Sequence, residues 1–279
     1  METHYRAPNT VSPLGIVLGG VAVLVGGLLF APIYSYAIVY IPFVYINLIL
    51  TGLFGLGVGM MIAGALRVGH THNKGVSYGL IGAGLLFAYW MHWAWWFSGL
   101  AFSADFDDFS VLLVLFPGAL IESVASVYEV GTWGMGSSGD AVTGVFLALI
   151  WLAEAVIFFG AGLFGGAMLV GSGTYCSRCQ AWCTEMPATR LQADMSGDLA
   201  NQVDRQNWAV LLRPAPSDGS TTWHEAHIHR CEGCGETNTV TLKDITVSHD
   251  KKGNEQKNEK VTVDRVYITG ADLNTLLNS

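Results

Sequence analysis

Five cysteines are the residues of this chain whose types and spacing most directly indicate chemistry, and all of them lie beyond residue 175. Four form two Cys-x-x-Cys pairs, Cys176 with Cys179 and Cys231 with Cys234, and 51 residues separate the pairs. Each pair offers two thiolates on a tight turn, and two pairs complete a tetrahedral four-sulfur shell around Zn²⁺ with bonds of about 2.3 Å. We therefore expect a structural zinc ion at these four residues, because a full shell leaves no position for a catalytic water.

The second pair reads Cys231-Glu-Gly-Cys234-Gly235. Two such knuckles, the second followed by glycine, resemble those of zinc ribbons. The resemblance covers the knuckles and the strands around them, and it implies a small sheet clamped by zinc. The segment between the knuckles is longer than in the usual ribbon, and the membrane part of the chain has no such resemblance. Because zinc ribbons serve many tasks, the resemblance implies a metal and a fold but no activity.

A redox dithiol pair and an iron–sulfur site are the alternatives for the same cysteines. A reducing cytoplasm keeps thiols free and favours zinc over disulfides. We predict Cys183 to be a spare thiol, although it can also replace one ligand. His224, His227 and His229 precede Cys231 and raise the question of a second metal site. Along a strand, His227 and His229 share one face and His224 takes the other, so the three are not expected to converge.

Glu154 is the second candidate for chemistry, because it lies inside an apolar run. A carboxylate in a membrane is costly, so it should face other helices, be protonated or have a partner. Tyr89 and His92 lie at similar depth in the preceding span, by the helical rise of 1.5 Å per residue. Together the three residues either relay protons or bind a cation, or they join helices structurally.

A membrane location follows from residues 14–66, which contain no Asp, Glu, Lys or Arg. A span needs about 20 apolar residues, and lipid offers no partners for backbone polar groups, so this run predicts two helices. A segment rich in Pro and Tyr at 32–42 is interpreted as the hairpin between them. Altogether we expect an α-helical membrane protein of about four transmembrane helices, at about 14–34, 43–66, 77–101 and 141–170.

The sides of the membrane follow from charge. Arg67 and Lys74 place the loop between the second and third spans in the cytoplasm. The 11 basic residues of 171–279 agree, so we predict that the N-terminal segment 1–13 and the C-terminal domain are both cytoplasmic. Residues 102–140 become an outer-face loop, in which 109–131 forms two short helices. The alternative, a fifth span at 109–131, moves the C-terminal domain to the other side.

Residues 171–279 are interpreted as a small zinc-ribbon-like α+β domain. We expect a helix in Asp194–Leu212 with Leu199, Val203, Trp208 and Leu211 on one side, and a closing helix at Ala271–Leu277 capped near Thr269 or Asp272. Alternating residues predict strands at Thr221–Arg230, Thr237–Val247 and Val261–Ile268. The charged stretch 250–260 is predicted to be a turn.

Glycine is frequent in the spans, and small residues let helices approach closely. The glycines either pack the bundle or, through Gly15-x-x-x-Gly19, form a self-association surface. The net charge of −8 comes without a basic stripe, which argues against nucleic acid as a partner. No nucleophile elbow or phosphate-binding loop is found, so an enzyme is not predicted.

The function expected from these features is that of an integral membrane protein with a zinc-stabilised cytoplasmic interaction domain. Such a protein is a structural or assembly subunit of a membrane complex, with lipid and other subunits or further copies of itself as partners. The alternatives are a small transporter or channel subunit that uses Glu154, and a membrane redox component.

Overall fold

The computed structural model describes residues 3–41, 43–103, 110–131, 141–193, 198–212, 216–217, 219–249 and 254–278. The chain forms two compact units. One is helical and comprises Asn9–Ser172, and the other combines Met1–Pro8 with Gly173–Ser279 and is rich in strands. Residues 104–109 and 132–140 of the predicted outer loop lie outside the described residues.

The described residues of the helical unit form six α-helices. They are α1 Pro13–Val25, α2 Ala31–Tyr40, α3 Val44–Val68, α4 Lys74–Ser103, α5 Pro117–Val130 and α6 Gly144–Leu169. Among the residues that the structure describes, three segments are long and apolar enough to cross a membrane, namely Pro13–Tyr40, Val44–Val68 and Gly144–Leu169. The predicted span 77–101 lies in α4, whose 30 residues are long enough but are less apolar because they include His and many Trp residues. The fourth span therefore stays a prediction.

The predicted end of the first span is wrong. Instead of a hairpin over 32–42, the helix continues from α1 through a π-helical turn at Gly26–Phe30 into α2, and the chain turns only after Tyr40. Pro32 lies in the first turn of α2, directly after the π-helical turn. Proline lacks a backbone N–H, and a change of hydrogen-bond register at this point lets the helix accommodate it.

The segment 110–131 contains a 3₁₀ turn at Ser110–Leu115 followed by α5. The 14 residues of α5 extend over about 21 Å, which is short of the roughly 30 Å of a hydrocarbon core. The sequence predicts two short helices in this segment, and the structure has two short helical elements there. Their position on the outer face stays a prediction.

One end of the helical unit brings together three parts of the chain. The backbone N–H of His72 donates to the Thr10 carbonyl at 2.8 Å. Nη1 of Arg67 donates to the Ser172 carbonyl at 2.8 Å. The residues before α1, the turn between α3 and α4, and the residues after α6 therefore lie at the same end of the unit.

Glycines bring α3 and α6 into backbone contact. A Cβ at Gly55 would overlap the carbonyl oxygen of Phe158, and one at Gly59 would overlap that of Gly162. Gly15 and Gly19 are also covered within the chain, by Thr71 and Leu66 respectively. These contacts favour the packing role of the glycines over a self-association surface at Gly15 and Gly19.

Where the structure describes it, the strand-rich unit has two antiparallel sheets and two α-helices. Its elements are β1 Tyr175–Cys176, β2 Ala181–Trp182, β3 Thr184–Glu185, β4 Thr189–Gln192, α7 Asp198–Asp204, β5 Thr222–Arg230, β6 Asn238–His249, β7 Glu255–Tyr267 and α8 Gly270–Leu277. β1 pairs with β2, while in the larger sheet β3 and β4 pair with β5, β5 with β6, and β6 with β7. One apolar core, which includes Leu191, Leu242 and Ile268, is shared by the strands and helices.

The helix predicted for Asp194–Leu212 is confirmed in part. The segment divides into α7 and a 3₁₀ turn at Trp208–Leu212, separated at Gln206, whose φ of +61° ends the helix. Residues 194–197 lie outside the described part. The four apolar residues predicted for one side, Leu199, Val203, Trp208 and Leu211, are all buried. The Thr269 hydroxyl accepts a hydrogen bond from the Asp272 backbone N–H and caps α8, as predicted.

The predicted charged turn at 250–260 is wrong over most of its length. β7 begins at Glu255, opposite His249 of β6. The two strands extend as a ribbon whose β7 residues 255–262 are exposed, and charged side chains pair across it, with Lys243 3.2 Å from Glu259. A ribbon that is exposed on both faces lacks the apolar alternation by which a strand is recognised.

The N-terminal segment belongs to the strand-rich unit, which the sequence did not predict. The Tyr267 N–H donates to the Thr3 carbonyl at 2.8 Å, and the Tyr5 N–H donates to the Arg265 carbonyl at 2.7 Å. The Tyr5 side chain is 8% exposed, and its hydroxyl accepts a hydrogen bond from the Tyr175 backbone N–H at 2.9 Å. Residues 3–5 thus add a short strand segment to the edge formed by β7.

We expect Tyr5→Ala to lower the free energy of unfolding of the strand-rich unit by about 3 kcal/mol, because a buried aromatic ring is lost. Tyr5→Phe keeps the ring, loses only the hydroxyl contacts, and should cost about 1 kcal/mol. Hydrogen exchange of the β7 amides measures both variants. Exchange at the wild-type rate in Tyr5→Ala would show that the segment does not stabilise this sheet.

Candidate functional site

The four predicted cysteine ligands lie together. Their sulfur atoms are all within 4.8 Å of one another, and Cys234 Sγ lies 3.6 Å from both Cys176 Sγ and Cys231 Sγ. A tetrahedral shell with bonds of about 2.3 Å separates sulfur atoms by about 3.8 Å. A disulfide requires about 2.05 Å, and the cysteines are free thiols. The spacing therefore fits a shared metal ion.

Each cysteine pair lies on the turn of a β-hairpin. The first knuckle joins β1 to β2, and the second joins β5 to β6. The residue after each second cysteine has a left-handed backbone, with φ +50° at Gln180 and +64° at Gly235. A Cβ at Gly233 would lie 2.8 Å from Cys179 Sγ. Glycine at this position therefore allows the two knuckles to approach each other.

Hydrogen bonds favour the thiolate form of two of the four cysteines, Cys176 and Cys234, whereas those with Cys234 and Cys231 raise the pKa of Cys179. The Thr237 hydroxyl donates to Cys176 Sγ at 3.2 Å, and the Glu236 backbone N–H donates to Cys234 Sγ at 3.5 Å. Burial opposes ionisation of Cys176, but hydrogen bonds from Thr237, the Cys179 backbone and the neighbouring thiols lower its pKa to about 6. Backbone hydrogen bonds from Glu236 and Thr237 also lower the pKa of Cys234. The thiolate is the form that binds metal.

The other predicted metal candidates lie outside this group. Cys183 Sγ donates to the Thr237 carbonyl at 3.5 Å. His227 contacts Glu185 at 2.6 Å and His224 contacts Asp244 at 2.7 Å. Within the described part of the chain, the four cysteines are the one group of three or more His, Cys, Asp or Glu residues close enough to hold a single ion.

A small cavity between helices contains the second candidate site. The helices α2, α3, α4 and α6 each contribute to its lining, which consists of Tyr34, Thr51, Phe54, Tyr89, His92, Glu154 and Phe158. It includes the three residues that the sequence predicts for an intramembrane polar site. Tyr34 and Thr51 were missed, because Tyr34 was placed in a hairpin at the headgroup level and Thr51 carries no charge.

Glu154, His92 and Tyr89 surround the cavity without forming a direct pair. The Glu154 carboxylate makes no hydrogen bond or ion pair with any residue that the structure describes. His92 is 7% exposed, and its Nδ1 has no hydrogen-bond partner. Tyr34 Oη and Thr51 Oγ1 are 2.8 Å apart, and the Thr51 hydroxyl donates to the Asn47 carbonyl at 2.8 Å. The arrangement is a polar cavity lined by the three predicted residues, in which Glu154 has no direct hydrogen bond to His92 or Tyr89.

Comparison with known proteins gave no match among family models, curated proteins or solved structures.

Proposed function

We propose that this protein is a multi-pass membrane protein whose C-terminal domain is stabilised by a structural Zn²⁺ and serves as an assembly module on the cytoplasmic side. The observation that carries the proposal is the group of four sulfur atoms within 4.8 Å. Four thiolates fill a tetrahedral shell and leave no open position for chemistry on a substrate, so the metal has a structural role.

A zinc ion at this position would crosslink the two sheets of the domain. Cys176 belongs to the two-residue strand β1, whose partner β2 also has only two residues. Such short strands contribute little stability by themselves. Cys231 and Cys234 lie on the turn between β5 and β6 of the larger sheet. The free energy of metal binding would then contribute directly to folding of this part of the domain.

Elemental analysis of the purified full chain tests the metal. We expect one zinc per chain and an absorbance spectrum without the visible bands of iron–sulfur or haem groups. Iron in place of zinc would favour a membrane redox component as the function. The absence of any bound metal would contradict the proposal that zinc stabilises this domain.

We also propose four spans with both chain ends in the cytoplasm. The position of Thr10 and Ser172 at one end of the helical unit supports an even number of crossings. Arg67 and Lys74 lie at that same end, and positive charge favours the cytoplasm. Epitope tags at the two termini, probed on intact and on permeabilised cells, test this topology. Both tags should be inaccessible until the cells are permeabilised, and one accessible tag would indicate an odd number of spans.

The assembly role is tested by particle mass after gentle detergent extraction. We expect the zinc-bound chain to migrate with a mass above that of one copy in its micelle. A monomeric wild-type particle with full zinc content would contradict the assembly role.

A transporter or channel subunit is the second candidate function. The observation that favours it is the carboxylate of Glu154 at a cavity between four helices. Ion flux into proteoliposomes tests it, with Glu154→Gln as the variant and Glu122→Gln, an exposed residue of α5, as the matched control. Flux lost only in Glu154→Gln supports transport, whereas absence of flux in the wild type removes this candidate.

A further inference from the structure

The size of the cavity between α2, α3, α4 and α6 limits its occupant. Its free volume is about 10 Å³. That space holds about one particle of the size of water. Organic substrates of ordinary size are therefore excluded from the cavity as it stands.

The hydrogen-bonding character of the lining follows from two contacts. A carbonyl can only accept, so the proton of Thr51 is donated to Asn47. Tyr34 must then be the donor in its contact with Thr51. Its hydroxyl proton is committed, and only the lone pairs of its oxygen are left for another partner. Tyr34 therefore acts on the cavity as an acceptor.

Two further groups add acceptor capacity. An ionised Glu154 carboxylate only accepts, and it has no partner among the described residues. One ring nitrogen of a neutral His92 is also an acceptor, and its Nδ1 lacks a hydrogen-bond partner although the residue is 7% exposed. The cavity is thus rich in hydrogen-bond acceptors. Among the hydroxyl groups that line it, only that of Tyr89 has a proton that is not already donated in these contacts.

The carboxylate of Glu154 and the aromatic rings of the lining favour a cation as the occupant of the cavity. Within the described part of the chain, no Lys or Arg side chain lines the cavity, so Glu154 lacks a counter-charge there. The titratable groups that face Glu154 across it are Tyr34, Tyr89 and His92. The rings of Phe54 and Phe158 complete the lining, with their centroids 4.7 Å apart. Aromatic faces attract cations, and quaternary ammonium groups are bound in aromatic cages.

We propose that this cavity binds a single ammonium ion. Ammonium has the size of water, carries a positive charge that balances an ionised Glu154, and has four N–H donors for the acceptors of Glu154, Tyr34 and His92. Water lacks the charge, and alkali cations lack the directional donors. The proposal deepens the second candidate function, because it names the ion that a subunit using Glu154 would bind.

Thermal unfolding of the full chain in detergent at neutral pH tests the site. Ammonium chloride is titrated against sodium chloride and potassium chloride at equal ionic strength, with tryptophan fluorescence as the second signal. Trp93 is a suitable reporter because its ring lies 5.1 Å from that of His92. We expect a saturable rise in Tm with ammonium alone. Equal effects of the three salts, or none with ammonium, would overturn the proposal.

Three variants sharpen the test. Glu154→Gln should abolish the response to ammonium, whereas Glu122→Gln, the same change on an exposed residue of α5, should leave it unchanged. Tyr34→Phe removes one acceptor and should weaken binding about tenfold, which keeps the proposal testable if Glu154→Gln does not fold. Wild-type affinity in Tyr34→Phe or in a folded Glu154→Gln would contradict the site.

A failure of the ammonium proposal can be distinguished from a failure of the zinc proposal or of the transport proposal. Absence of ammonium binding in a chain that retains its zinc overturns this inference alone. Binding without flux in proteoliposomes leaves the site in place and removes the transporter.

Discussion

Replacing Cys231 by serine is expected to abolish zinc binding and to destabilise the C-terminal domain by about 5 kcal/mol or more. Cys231 is 1% exposed, and its sulfur is one of the four in the group and lies 3.6 Å from Cys234 Sγ. The variant loses one of four ligands and places a hydroxyl in a site shaped for thiolates. Zinc content and hydrogen exchange in β5 and β6 measure the two effects.

Cys183→Ser is the matched control. Cys183 lies outside the four-sulfur group, and the contact of its thiol with the Thr237 carbonyl can be made by a hydroxyl. This variant should keep its zinc and fold like the wild type. If Cys183→Ser loses zinc while Cys231→Ser keeps it, the ligand set is wrong and Cys183 is the fourth ligand.

Removal of the metal from the wild type provides a third comparison. A chelator should reproduce the exchange pattern of Cys231→Ser without any change in sequence, and added zinc should reverse it. A domain that stays fully protected after complete removal of zinc would show that the metal is not a structural element.

The second large loss of stability is expected from a substitution at the contact between α3 and α6. Gly59→Ala places a methyl group where the Gly162 carbonyl oxygen lies, and backbone atoms cannot rotate away as a side chain does. The helices must separate, so the variant should lose about 3 kcal/mol of stability in the helical unit. Loss of helical circular dichroism on heating in detergent measures the change.

Gly160→Ala is the control for this prediction. Gly160 also lies in α6, but a Cβ there meets no atom within 4 Å. The same change of glycine to alanine in a helix should therefore leave the melting temperature unchanged or raise it slightly. Equal losses in Gly59→Ala and Gly160→Ala would mean that helix propensity and not the helix contact decides the outcome.

Features that depend on neighbouring residues could be predicted from the sequence. The spacing of the two Cys-x-x-Cys pairs identified all four clustered sulfur atoms, and the Thr269 cap followed from the residues at the start of α8. Long uncharged runs likewise predicted helices suitable for a membrane, because hydropathy over about 20 residues is a local property.

Boundaries that depend on distant contacts were predicted less well. Pro32 indicated a helix end, yet the π-helical turn before it allows the helix to continue to Tyr40. The charged residues after Glu255 indicated a turn, yet they form a strand paired with β6. In both cases the local preference was overridden by hydrogen bonds made elsewhere along the helix or ribbon.

The sequence by itself determined the chemistry of this protein: thiolates in two close pairs, apolar runs of membrane length and a single acidic residue within them. Only the tertiary structure decided which distant residues complete each site. It added Tyr34 and Thr51 to the cavity and joined Tyr5 to the sheet next to Tyr175. The physical reason is that contacts between residues far apart in the chain depend on how helices and strands pack, and no local pattern of residue types records that packing.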